Sequence, residues 1–203
     1  MFSLLILGPV LNGSGQEELP LDVPWFGQEE SWADQGLGDS PTITIRTHGC
    51  ALTSSAMVLN YLGVKTNPEE LNRWLLENEG FEEGWDDEDG TYLGRVRLIW
   101  NSPVQGFPEI KEFNRYDFHS EPADLALIRS YLDRGIPVIA EVLRPQGIPH
   151  FVVLIAYSED DFLIRDPLES DTKYLSEDYN ISDKYGSGAA RNIFGIRVYI
   201  PVD

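Results

Sequence analysis

The sequence predicts an α+β fold, with helices first and an antiparallel sheet after them. Three observations carry this. Apolar residues recur at helical spacing after Cys50, as Leu52, Ala56 and Leu59, and again at 71–75 and 125–132. After Gly135 the period changes to β-rich apolar runs over 136–142, 151–157 and 193–200. The run 151–157 returns through Ser158-Glu159-Asp160-Asp161 into 162–165, which reads as a hairpin and so makes the sheet antiparallel. Helices followed by strands define the α+β class.

In chain order, residues 1–11 are apolar but too short to span a bilayer. They resemble the apolar core of a secretory signal, followed by the small residues 12–15, although no Lys or Arg precedes them. Residues 1–20 are therefore read as a signal remnant and linker, residues 21–203 as one domain, and the expected location as secreted or cell-surface, with the cytoplasm as the alternative. Val23-Pro24-Trp25-Phe26-Gly27-Gln28 is a short extended stretch, and Glu29–Ser40 a polar loop. The β-prone run 42–46 predicts a short strand leading to Cys50. The helix opening at Cys50 should stop at Gly63. A second helix starts with Asn67 as N-cap and Pro68 at the first helical position, and ends near 78–80. Residues 80–90, acidic and Gly-rich, read as a solvated loop. A calcium loop built on Asp87-x-Asp89-Gly90 would lack oxygen ligands at Trp85 and Val96. Residues 92–100 fit helix or strand equally, and 101–119 look irregular. A third helix is predicted from Ser120 as N-cap to Gly135, and 168–190 form a long polar, partly helical connection.

Composition narrows the function. The formal charge of −19 repels phosphates and argues against nucleic acid as a partner. A single cysteine excludes an internal disulfide. No Walker loop, dinucleotide fingerprint or zinc-ligand spacing is present, so neither a metal nor a cofactor is expected.

Cys50 should lie in the first turn of a buried helix, where backbone N–H groups and the helix dipole favour an anion. A cysteine there also serves simply as a small core residue. What distinguishes the two is a base and an orienting group. His150 precedes the strongest strand, and Asp166-Pro167 ends the strand returning beside it. An imidazole can take the thiol proton while a carboxylate on its other nitrogen holds the tautomer. The register needs help, because a plain hairpin turning at 158–161 leaves the two residues about three positions, or roughly 10 Å, apart. A bulge or wide loop must absorb that. His48 reads as structural or pocket-lining and His119 as a surface residue. Gln28, anchored by an apolar stretch, is preferred over Gln35 as a side-chain donor to an oxyanion.

Four stretches together resemble a family: Val23–Gln28, Gly49-Cys50-Ala51-Leu52-Thr53-Ser54-Ser55-Ala56-Met57-Val58-Leu59, His150-Phe151-Val152-Val153-Leu154 and Ile164-Arg165-Asp166-Pro167. They are similar to papain-superfamily peptidases of the bacteriocin-leader-processing type, peptidase family C thirty-nine, over residues 21–167. The resemblance implies a papain-like fold, a triad of Cys50, His150 and Asp166, an oxyanion-stabilising Gln28, and a peptide or peptide-like substrate. Exporter-attached members carry their Gln much closer to the cysteine, so the chain resembles the stand-alone branch rather than a double-glycine leader protease. Thiol-dependent hydrolysis through a thioester is the expected activity. The alternatives on the same fold are a catalytically silent peptide or cell-wall binding module, and a transpeptidase or acyltransferase.

Overall fold

The computed structural model describes residues 10–11, 17–86, 89–158, 161–179 and 188–202. Most of the segment read as signal remnant and linker lies outside them. Two short strands, β1 (Val10–Leu11) and β2 (Glu17–Glu18), pair there. The helical part comprises α1 (Ile45–His48), α2 (Cys50–Tyr61) and α3 (Pro68–Glu77). A hairpin of β3 (Phe81–Trp85) and β4 (Tyr92–Leu98) follows, then α4 (Ser102–Gly106), β5 (Ile110–Asp117) and α5 (Leu125–Leu132). The remainder is β6 (Val138–Leu143), β7 (Pro149–Ser158), β8 (Asp161–Asp166), β9 (Glu169–Tyr174), α6 (Leu175–Tyr179), α7 (Ala189–Asn192) and β10 (Gly195–Pro201).

Six strands form one antiparallel sheet in the order β5-β10-β6-β7-β8-β9. Both faces are covered. Ile139, Val153, Ile155 and Leu163 pack with Leu52, Ala56 and Leu59 of α2 and Leu71 and Leu75 of α3. Val138, Ala140, Val152, Leu154 and Ile164 pack on the other face with Ile128 and Leu132 of α5 and Leu175 of α6. The period of two along a strand sends alternate residues to opposite cores, which is why β6 and β7 read as unbroken apolar runs.

The two long N-terminal helices follow their local signals. Gly63 takes φ +100, and Val64 N–H closes back on Leu59 O at 3.0 Å, the six-to-one bond that ends a helix in this way. Asn67 Oδ1 accepts from Glu70 N at 2.9 Å, with Pro68 in the first turn.

Several expectations are corrected. The run 42–46 is not a strand: Thr44 makes one bridge to Gly36, and Ile45–His48 turns into α1. Ile45 is fully buried, and Thr44 N–H is capped by Thr47 Oγ1 at 3.1 Å, so packing and a local cap override β propensity. Gly49 joins α1 to α2; a Cβ there would stand 2.4 Å from Ile45 O. Residues 81–85 are a strand rather than loop, while 87–88 of the acidic stretch lie outside the described residues. Bulges at Glu82/Glu83 and Gly84/Trp85 erase the alternation that would have revealed that strand. Residues 101–119 hold α4 and β5. Of the β5 residues only Ile110 is buried, so its strand character comes from pairing with β10. The third helix begins at Leu125 with Asp124 as N-cap, its Oδ1 accepting from Leu127 N at 3.0 Å. Ala123 N–H is bonded instead to Ala190 O, which holds the preceding residues extended. The polar connection carries β9 and α6, and its residues 180–187 lie outside the described residues.

Candidate active site

The site is built at one end of β7 and β8. At the turn, Ser158 faces Asp161 and Tyr157 faces Phe162. Continued unchanged, that register would set Asp166 opposite Val153, three residues from His150 and on the other face. A bulge between Leu154 and Ala156 slips the ladder by one, so that Val153 faces Arg165. Asp166 then falls opposite Val152, two residues from His150 and on the same face. Such diagonal neighbours are about 7–8 Å apart at the backbone, within reach of long side chains. His150 Nε2 and Asp166 Oδ1 are 2.9 Å apart, with His150 3 % and Asp166 1 % exposed.

Both carboxylate oxygens and the carbonyl of Asp166 are engaged. Oδ1 also accepts from Leu168 N at 2.9 Å, and the Tyr179 hydroxyl donates to Oδ2. The Asp166 carbonyl accepts the Trp25 indole N–H at 2.7 Å. The Tyr179 ring lies nearly parallel to the His150 imidazole, centroids 5.9 Å apart and planes at 21°. Burial pushes the Tyr179 phenol up, the Asp166 charge adds to this, and so the hydroxyl is a donor at every ordinary pH. Burial alone would raise Asp166; its bonds with His150, Tyr179 and Leu168 and the His150 charge outweigh this and hold the carboxyl below its usual value. Nothing in the sequence around Tyr179 marks it, because its role arises from α6 folding back over β8.

Cys50 is the first residue of α2, partly accessible, and lies near enough to His150 to influence the imidazole. Burial pulls the imidazole pKa down. The hydrogen bonds to Asp166 and Cys50, with the charges of both, pull it up further and leave it at about 9. The structure thus brings together Cys50, His150 and Asp166. It does not bring the other histidines there: His48 Nδ1 sits 2.9 Å from Thr47 Oγ1, exposed, and His119 lies against Phe194.

Gln28 departs from the expected orientation. It is 2 % exposed, and its amide nitrogen donates to Ile45 O at 2.9 Å and Arg46 O at 3.1 Å. Both N–H groups are used, while Oε1 has no hydrogen-bond partner among the described residues. The physical reason is α1: a strand over 42–46 would not have turned these two carbonyls toward Gln28. As placed, Gln28 braces the segment leading into Cys50, and its backbone N–H ties to Pro167 O at 2.8 Å.

Asp117, His119 and Glu141 are the one set among the described residues whose ligand atoms could gather on a metal, lying within 4.8 Å of one another. The buried Arg197 guanidinium already bridges Asp117 at 3.1 Å and Glu141 at 2.9 Å, so this place holds an ion-pair cluster. No helix among the described residues is long and apolar enough to cross a membrane.

A sheet with a cysteine-bearing helix on one face, and a buried His–Asp pair at its strand ends, defines a papain-like cysteine peptidase fold. The Peptidase_C39 like family matches residues 20–187, and the chain belongs to that family; it is an enzyme of the cysteine peptidase class. Among solved structures, a Bacillus anthracis protein described as a C39-like peptidase superposes with a TM-score of 0.54 at 17 % identity, covering 91 % of this chain and 98 % of that one. A double glycine motif protease from an AMS/PCAT transporter, solved in complex with the leader peptide, gives a TM-score of 0.45 at 16 % identity, covering 97 % and 99 %. No curated protein sequence matches the chain.

Proposed function

We propose that this chain hydrolyses peptide or amide bonds through Cys50, His150 and Asp166. The observation that carries the reading is the buried pair of His150 and Asp166, with Nε2 2.9 Å from the carboxylate and Cys50 at the start of α2 near the ring. In the reacting form the imidazole holds the proton and the Cys50 sulfur is the nucleophile. The thiolate attacks the scissile carbonyl carbon, and the oxyanion that forms meets the backbone N–H of Cys50 at the start of α2. His150 passes its proton to the departing amine as the C–N bond breaks, leaving a thioester on Cys50. Water, deprotonated by His150, then attacks the thioester and releases the acid and the thiol. Asp166 holds the ring so that its other nitrogen serves both transfers.

The test is turnover of a peptide library by wild type and by Cys50→Ala, with mass spectrometry of the wild-type enzyme for an acyl adduct. Cleavage that survives in Cys50→Ala would sink the reading. Adding amine acceptors separates hydrolysis from acyl transfer, since a transferase would release the amide instead of the acid.

A further inference from the structure

A groove of about 460 Å³ adjoins the site, between the β3–β4 hairpin, β5 and the start of α2. Ala51 and Phe151 line it, and they directly follow Cys50 and His150 in the chain. Ala51 places the groove beside the start of α2, within reach of a side chain of a peptide that lies across Cys50. One wall is aromatic, and Glu82, Arg97, Asn101 and Arg115 bring polar groups to the rest. Trp100 meets Phe151 at 5.1 Å between ring centroids and stacks on Phe113 at 6.5 Å, with planes 8° apart. The rings are fixed in place: Arg197, 3 % exposed, stands 5.6 Å from the Trp100 centroid, and Phe113 rests on the fully buried Tyr199. At the lip, Arg115 is held by Asp117 at 2.8 Å. Arg97 has neither hydrogen bond nor ion pair among the described residues, and its guanidinium is free to stack on a guest ring.

We infer that this groove is the subsite for an aromatic side chain of the peptide substrate, with Trp100 as its specificity-determining residue. The inference rests on the peptidase reading for its occupant. A preformed wall of three rings costs little reorganisation on binding, and an aromatic guest buries about 150–250 Å² in one step. A glycine or alanine at the same substrate position would leave the groove empty and gain nothing from it.

The experiment measures binding, so that it does not depend on turnover. Acetylated, amidated hexapeptides of alanine and serine, with a single Phe or Gly scanned along the chain, are titrated calorimetrically into Cys50→Ala protein. At one position Phe should bind on the order of tenfold to a hundredfold more tightly than Gly. The preference should vanish when Trp100→Ala is added. Asn101→Trp provides an independent check that spares the packed rings: Asn101 lies on the groove and makes no side-chain cap for α4. A tryptophan there fills the mouth and should abolish the same preference. Equal affinity of Phe and Gly at every position, or a preference that survives both substitutions, would overturn the inference. Cleavage of the same peptides by the wild type bears only on the peptidase reading, so the two can fail separately.

Discussion

Replacing Asp166 by Asn keeps the shape of the side chain and removes its charge. The consequence can be worked from the surroundings of His150. Raising an imidazole from 6.5 to about 9 corresponds to roughly 3 kcal/mol between its charged and neutral forms, achieved against burial that works the other way. Of the groups that raise it, the Asp166 hydrogen bond is the largest contributor. In Asp166→Asn the burial penalty remains and that support is gone, so the His150 pKa should fall by more than one pH unit. The Asn amide must also turn an N–H group toward either the His150 ring or the Tyr179 hydroxyl, both of which now donate to the carboxylate. The assay is the pH dependence of peptide turnover, which needs the His150 proton for the departing amine. Wild type should lose that proton on an alkaline limb near pH 9, a value that belongs to the coupled pair rather than to one group. In the variant that limb should move below pH 8, with turnover at neutral pH reduced roughly a thousandfold or more and substrate affinity little changed. An alkaline limb that stays near pH 9 in a folded Asp166→Asn protein would refute the coupling argued here.

Three further outcomes follow from the same geometry. Tyr179→Phe leaves Asp166 Oδ2 buried without its donor; it should lower stability by about 1–3 kcal/mol in denaturant melts, and raise the Asp166 pKa, which a shifted acid limb of turnover would report. Gln28→Ala removes two bonds to the α1 carbonyls, and should destabilise by about 1–3 kcal/mol in thermal melts. Full loss of turnover with an unchanged melting temperature would point instead to a direct role for Gln28 at the oxyanion. The third concerns pH. The folded pKa of His150 is raised, so its contribution is fully present below the unfolded value of about 6.5 and is lost as pH rises through about 9. Melting temperature should fall across that window, and His150→Gln should flatten the slope.

What could be read from the sequence was local. The stop of α2 and the start of α3 are written in Gly63, Asn67 and Pro68, and local cap chemistry enforces them. The hairpin of β7 and β8 is written in two apolar runs and a polar turn, and the approach of His150 to Asp166 follows from it once a bulge is allowed. By contrast, β3 hides behind its bulges, β5 buries only Ile110 and owes its form to β10, and α1 forms because Ile45 finds a core.

The sequence by itself determined the fold class and singled out candidate site residues, because helix period, strand period and residue type are properties of neighbours along the chain. Tertiary structure alone decided how those residues meet. The bulge between Leu154 and Ala156 sets which face Asp166 shares with His150, since a shift of one residue reverses every side chain. The carbonyls of α1 capture the Gln28 amide, and α6 delivers Tyr179 to the carboxylate. Each of these depends on two segments far apart in sequence competing for the same hydrogen-bonding atom or the same space, and no local pattern records the result of that competition.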